Sequence, residues 1–214
     1  MDIPRDIEKA MYWYTKAAEQ GNAEALSYLA TLKALYWLTK AAEQGDAEAQ
    51  SRLGNLYFRL FFTGEPVLND FRENVEKALY WYTKAAEQGD LDAQLGLLRL
   101  YSDEDCISFD YEKAFYWCTK AVEQGDVCAQ RRLSRMYENG EGTAVDKDEA
   151  FYWYMKAAEQ NSHEAAEKLG AIYETGDGVS ADKQKALYWY SRTADRSDNV
   201  ALCLKLAHIY DSGE

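Results

Sequence analysis

The chain has 214 residues, 47% of them apolar, and only two prolines, so a core of ordinary size is available and helix is favoured nearly throughout. A net charge of −13 argues against nucleic acid or an anionic membrane as the main partner, because each phosphate contact needs a Lys or Arg. No apolar run approaches the roughly 18 residues of a spanning helix, and the first 16 residues lack a basic segment followed by an apolar one, so a soluble, unexported, cytoplasmic protein is expected.

Aligning the chain with itself exposes a repeat. Trp13, Trp37, Trp81, Trp117, Trp153 and Trp189 occupy equivalent positions, and the last three spacings are all 36 residues. Residues 1–22 form a half-repeat with one tryptophan-bearing helix that ends near Gly21. Residues 23–45 form a short copy, because the step from Trp13 to Trp37 falls 12 residues below the period. What is missing is the turn between its two helices, so residues 23–44 form either one long helix or a pair with a very tight break near Ala30 to Leu32. Residues 46–89 form a long copy, 8 residues over the period, and the excess within 61–74, with Gly64 and Pro66, is expected to lengthen a surface loop.

Regular copies follow at about 90–125, 126–161 and 162–197, with a terminal half-repeat at 198–214. Their first helices share a frame, as in Ala93, Leu97 and Tyr101, Ala129, Leu133 and Tyr137, or Ala165, Leu169 and Tyr173. The spacing by four sets these side chains on one face. Glycine turns end the first helices (Asn139 to Gly142, Thr175 to Gly178), and Asn22, Asp46, Asp90 and Asp126 are placed to cap the next one. A single helix pair cannot bury its own apolar face, so the copies must stack, with paired alanines such as Ala85 and Ala86 allowing close approach and the tryptophans filling the core.

The period, the Ala/Leu-Gly/Tyr first helix, the Gly-x-Gly turn and a second helix reading Lys77-Ala78-Leu79-Tyr80-Trp81 and onward to Gly89 resemble the Sel-1-like repeat family over nearly the whole chain. The related tetratricopeptide repeat has a 34-residue period and carries its tryptophan in the first helix. The resemblance implies an all-α, right-handed alpha-alpha superhelix of about six helix-turn-helix repeats and a role in protein complexes. Secreted members carry a regular cysteine pair in each repeat. Cys106, Cys118, Cys128 and Cys203 lack that pattern, and free thiols are expected, although a bridge from Cys118 to Cys128 is geometrically conceivable.

Positions that vary between copies are not required by the fold. Two and six residues after the frame alanine, side chains should point away from the core, which selects Ser51 and Asn55, Leu95 and Arg99, Arg131 and Arg135, Glu167 and Ala171, and Leu204 and His208. First helices line the concave surface in this kind of superhelix, so these residues, with Arg132, form the candidate protein-binding surface. Arg99, Arg131, Arg132 and Arg135 would make a positive patch suited to carboxylates of a peptide or partner loop. The acidic turns, Asp103 to Asp105 and Glu138, Glu141, Asp146, Asp148 and Glu149, would suit a basic partner instead.

Catalytic machinery is not evident. His163 and His208 have no companions at metal-ligand or nucleophile spacing, and the glycine turns join helices rather than cradle phosphate, so no cofactor, metal or enzymatic activity is expected. The expected function is a non-catalytic scaffold or adaptor that holds a peptide or protein on the concave face. The resemblance leaves open an immunity protein that neutralises a toxin by tight binding, and a host-directed effector or signalling regulator. Open ends that meet another chain are a further possibility, because residues 1–22 and 198–214 are each a half-repeat.

Overall fold

The architecture follows from the capping residues and glycines that cut the chain into helices. A computed structural model describes residues 7–63, 71–104, 106, 108–194 and 206–207. Among these, ten helices and no strand are found: α1 Ile7–Glu19, α2 Ala23–Glu43, α3 Ala47–Thr63, α4 Phe71–Glu87, α5 Leu91–Ser102, α6 Tyr111–Glu123, α7 Val127–Asn139, α8 Lys147–Glu159, α9 His163–Thr175 and α10 Lys183–Ala194. They fall into two compact units, residues 1–109 with α1 to α5 and residues 110–214 with α6 to α10.

The first helices start where their caps dictate. Asn22, Asp46, Asp90 and Asp126 accept hydrogen bonds from the backbone N–H of Ala25, Ala49, Ala93 and Ala129 at 2.6–2.9 Å, and each frame alanine is buried. The second helices of three copies are capped in the same way by Asp110, Asp146 and Asp182. Gly21, Gly45, Gly89 and Gly125 end second helices at positive φ, and Asn161 takes the same place and conformation at φ 67°.

Within each unit, second helices fold back on first helices and the next first helix packs against them. In unit 1, α4 lies on α3 and α5 on α4; in unit 2, α8 lies on α7, α9 on α8 and α10 on α9. Small residues bring the helices close. The ring of Tyr82 lies over both Gly54 and Gly96, and that of Tyr190 over Gly170. A buried glutamine column ties copies together: Gln50 and Gln94 donate to the carbonyls of Ala42 and Ala86, while Gln88 donates to Gln50 and Gln160 to Gln130. The position after the frame alanine carries the glutamines of this column. The recurrence of Gln50, Gln94 and Gln130 there was the available signal, and the reason is that a buried amide can satisfy a helix-end carbonyl of the preceding copy.

The two irregular copies resolve differently from one another. Residues 23–43 form one continuous helix, so the missing 12 residues removed the turn and left both halves of the copy in line. The 8 additional residues of the long copy do not lengthen a loop. Helices α3 and α4 have 17 residues each where α7, α8 and α9 have 13, and the connection of seven positions equals those after α7 and α9. Four residues per helix is close to one turn, so both apolar faces stay in phase; Leu60 and Phe61 in the added turn of α3 are buried, as is Val75 just after that of α4. Burial of this kind favours extending the hairpin over exposing a longer loop.

The tryptophans divide along the same lines. Trp81, Trp117 and Trp189 are buried and Trp153 is half-buried, as expected of core residues, but Trp13 and Trp37 are 69% and 67% exposed. In α2 the half that should fold back over Trp37 runs on in line instead, and no first helix is packed on Trp13 among the described residues. Equivalent sequence positions therefore have unequal burial.

Candidate functional site

The variable positions of the first helices can be placed one unit at a time. In unit 1, Ser51 is buried at 3% exposure and its hydroxyl has no hydrogen-bond partner among the described residues, contrary to the expectation that it faces outward. The cause is packing: α3 is contacted by α2, α4 and α5, which leaves less of its circumference open than a helix with two neighbours has. Asn55 is exposed and its amide oxygen accepts from the Tyr82 hydroxyl at 2.8 Å. Leu95 is half-buried, and Arg99 is exposed with its guanidinium 5.6 Å from the centre of the Phe58 ring.

In unit 2, the arginines are not equivalent. Arg131 forms an ion pair with Glu164 of the next first helix, and Arg132 pairs with Glu141 at 2.7 Å. The expected free patch of arginines is thus partly neutralised by carboxylates of the same unit. Arg135 is exposed and has no ion-pair partner among the described residues. Glu167 is exposed and Ala171 half-buried. His208 and Leu204, the last pair of the series, lie outside the described residues.

Arg135 sits at a surface groove of about 450 Å³ formed by α7, α8 and α9. Its other lining residues are Glu138 and Asn139 from α7, Tyr154 from α8, and Glu164 and Lys168 from α9. The Tyr154 hydroxyl donates to Glu138 at 2.7 Å, and Lys168 pairs with the same carboxylate at 2.8 Å. Burial pushes the Tyr154 hydroxyl pKa upward, the hydrogen bond and charge of Glu138 push it further, and Arg135 opposes the rise. The phenol therefore stays a neutral donor. The lining thus combines a linked Tyr154–Glu138–Lys168 chain with the guanidinium of Arg135, one turn before Glu138 on α7.

Sequence reasoning found Arg135 and missed Tyr154 and Lys168. The signal was an acid followed 16 residues later by a tyrosine, Glu138 with Tyr154 and again Glu174 with Tyr190, where the same 2.7 Å hydrogen bond forms. The acidic turn run is also mostly occupied from within: Glu138 and Glu141 as above, Asp146 as the cap of α8, and Glu149 accepting from the Trp153 indole at 3.1 Å. Asp103 and Glu104 are described, whereas Asp105 lies outside the described residues.

Cys106 and Cys118 are buried free thiols and Cys128 is an exposed one, so no bridge joins Cys118 to Cys128. The Cys118 thiol donates to the Ala129 carbonyl at 3.3 Å, and burial raises its pKa to about 12. No helix among the described residues is long and apolar enough to cross a membrane.

Stacked, capped helix pairs with a groove between successive first helices define a helical repeat protein of the solenoid class. The Sel1 repeat pattern matches residues 1–22, 31–46, 47–90, 93–126, 129–162 and 163–198, and the chain belongs to the Sel1 repeat family. Among solved structures it is similar to a protective antigen of uropathogenic Escherichia coli strains that displays an SLR fold, at 36% identity and a TM-score of 0.70 over 84% of this chain. It is also similar to a Sel1 repeat protein from Oxalobacter formigenes, at 31% identity and a TM-score of 0.63 over 84% of this chain. The matched region is 36% of the first protein and 68% of the second, so the chain spans about a third of the former's length. A search of curated proteins gave no match. Sel1 repeats form a non-catalytic scaffold fold that generally mediates protein–protein interaction.

Proposed function

We propose that this chain is a non-catalytic scaffold that holds a protein partner on the first-helix surface of unit 2, with a partner carboxylate received by Arg135. The observation that carries this reading is the exposed guanidinium of Arg135, without an ion-pair partner among the described residues, at a groove whose other lining residues Glu138, Tyr154 and Lys168 are already linked to one another. A guanidinium matches a carboxylate in a bidentate manner, and neighbours already held by mutual hydrogen bonds lower the ordering cost of binding. Arg131 and Arg132 contribute by shaping the surface through Glu164 and Glu141 rather than by meeting the partner. Free thiols at Cys106, Cys118 and Cys128 fit a reducing, cytoplasmic setting.

The test is affinity capture from source-cell lysate with wild type and Arg135→Glu baits side by side, checked for equal helicity, with bound proteins identified by mass spectrometry. A partner held by wild type and lost from Arg135→Glu is the expected result. Retention of the same partner at the same level by both baits moves the binding site elsewhere. Arg131 is unsuited to this test, because an acid there would face Glu164 and perturb the unit itself.

A further inference from the structure

The least explained surface of the molecule is the outer side of α2. Between Ala25 and Ala42 the only charged residues are Lys33 and Lys40, so α2 carries apolar residues on two opposite sides. One side is used by the fold: Ala25, Leu29, Leu32, Leu35 and Ala42 are buried. The opposite side carries Leu26, Ala30, Ala34, Trp37 and Ala41, spaced by four, four, three and four residues, which at 100° per residue lie within a strip about 80° wide. Leu26 is 53% and Trp37 67% exposed, Ala30 and Ala34 are exposed, and Ala41 is half-buried.

A helix with apolar stripes on two opposite sides is ordinarily covered on both. Here the cover is missing for a reason internal to the chain, since the turn that would have folded a helix back over Trp37 is absent. The strip has the character of a helix-packing seam: alanines allow close approach, and Trp37 and Leu26 stand out as knobs about 16 Å apart at 1.5 Å per residue.

Charge decides the occupant. Lys33 and Lys40 are two turns apart along one border of the strip, and neither has a carboxylate partner among the described residues; the Lys40 amine lies 5.9 Å from the Tyr36 ring. The other border carries Ser27 and Leu38, and beyond Leu38 lie Asp46, Glu48 and Arg52, the last two paired at 2.6 Å. An antiparallel second copy would set the lysine border against its own equivalent, and a parallel one would set Trp37 on Trp37, so self-pairing is disfavoured on charge or on shape. An anionic membrane is disfavoured by the net charge of −13.

We infer that the outer face of α2 docks an amphipathic helix of another protein, about 15 residues long in contact, whose apolar seam is bordered on one edge by Asp or Glu at seven-residue spacing. The seam lies over Ala30 and Ala34, Trp37 packs beside it, and the acids meet Lys33 and Lys40. This surface belongs to unit 1 and is independent of the Arg135 groove.

The experiment uses the full chain and two dye-labelled synthetic helices of about 18 residues that share a Leu/Ala seam, one with Glu along one border and one with Lys there, titrated by fluorescence anisotropy. The Glu helix is expected to bind about tenfold more tightly than the Lys helix, as two exposed ion pairs allow. Lys33→Glu with Lys40→Glu should reverse the preference, Trp37→Ser should lose binding of either helix, and Arg135→Glu should leave it unchanged. Because Trp37 is exposed, its replacement leaves the packing of α2 on α1 and α3 intact, and circular dichroism checks this. Equal binding of the two helices, or binding indifferent to Trp37→Ser, overturns the inference. So does a wild-type dimer in sedimentation that Trp37→Ser renders monomeric, or uptake onto anionic vesicles with no binding of the Glu helix.

Discussion

Replacing Gly54 by Ala adds one methyl group to α3 and tests how unit 1 is packed. The new Cβ would lie 2.5 Å from Cδ1, 2.8 Å from Cε1 and 2.9 Å from Cγ of Tyr82, where carbon atoms prefer about 3.5–4.0 Å. The ring cannot retreat. A Cβ at Gly96, on its other side, would lie 2.7 Å from Cζ, the side chain is 1% exposed, and its hydroxyl is tied to Asn55 at 2.8 Å. Either α3 or α4 must then shift by about an ångström, which typically costs 1–3 kcal/mol in a packed core. Alanine gains about 1 kcal/mol over glycine in a helix, so a net loss of about 1 kcal/mol is expected. The control is Tyr82→Cys, the residue the chain itself carries at the equivalent Cys118. Without the ring, Gly54→Ala should become neutral or stabilising, giving a coupling of about 2 kcal/mol between the two positions. Urea unfolding followed by far-ultraviolet circular dichroism reads each midpoint at constant slope. If Gly54→Ala is as stable as wild type with Tyr82 present, the ring does not occupy the space assigned to it and the packing argument fails.

The thiols should differ in reactivity. At pH 8 a thiol whose pKa is raised to about 12 is protonated in all but roughly one molecule in ten thousand, so Cys118 should resist iodoacetamide in the folded chain while exposed Cys128 reacts, as peptide mass mapping will show; equal labelling of the two would contradict the buried placement of Cys118. Backbone hydrogen bonds, that from the Lys113 N–H foremost, lower the pKa of the Asp110 carboxyl, and the corresponding bond from Lys185 lowers that of Asp182. A folded pKa below the unfolded one gives stability that is complete above the unfolded value near 3.9 and is lost as pH falls through the folded value. Thermal midpoints of wild type and Asp182→Ala should therefore differ at pH 6 and converge toward pH 2, and a constant difference across that range would reject the capping role.

Helix ends, the repeat period and the capping residues were legible in the sequence because they are local. Asn22 or Asp126 finds its N–H partner three residues away, whatever the rest of the chain does. The same holds for the frame alanines and leucines, whose four-residue spacing puts them on one face before any neighbour is specified. Among the site residues, Arg135 could be selected as a variable, outward position on that basis alone.

Tertiary structure decided what depends on a second element arriving. Trp37 and Trp81 share one sequence context, yet one is exposed and the other buried, because only α4 has a first helix folded back against it. Ser51 and Asn55 are both outward by period, but neighbouring helices bury only Ser51. Whether Arg131 is free to meet a partner was settled by Glu164, 33 positions along the chain, and the groove beside Arg135 by Tyr154 and Lys168 on two other helices. The 8-residue insertion was recognised from spacing, but its division into one added turn on each of α3 and α4 required the apolar surface that each helix offers the other. Local periodicity sets which way a side chain points, and only the packed neighbours set whether anything is there to cover it.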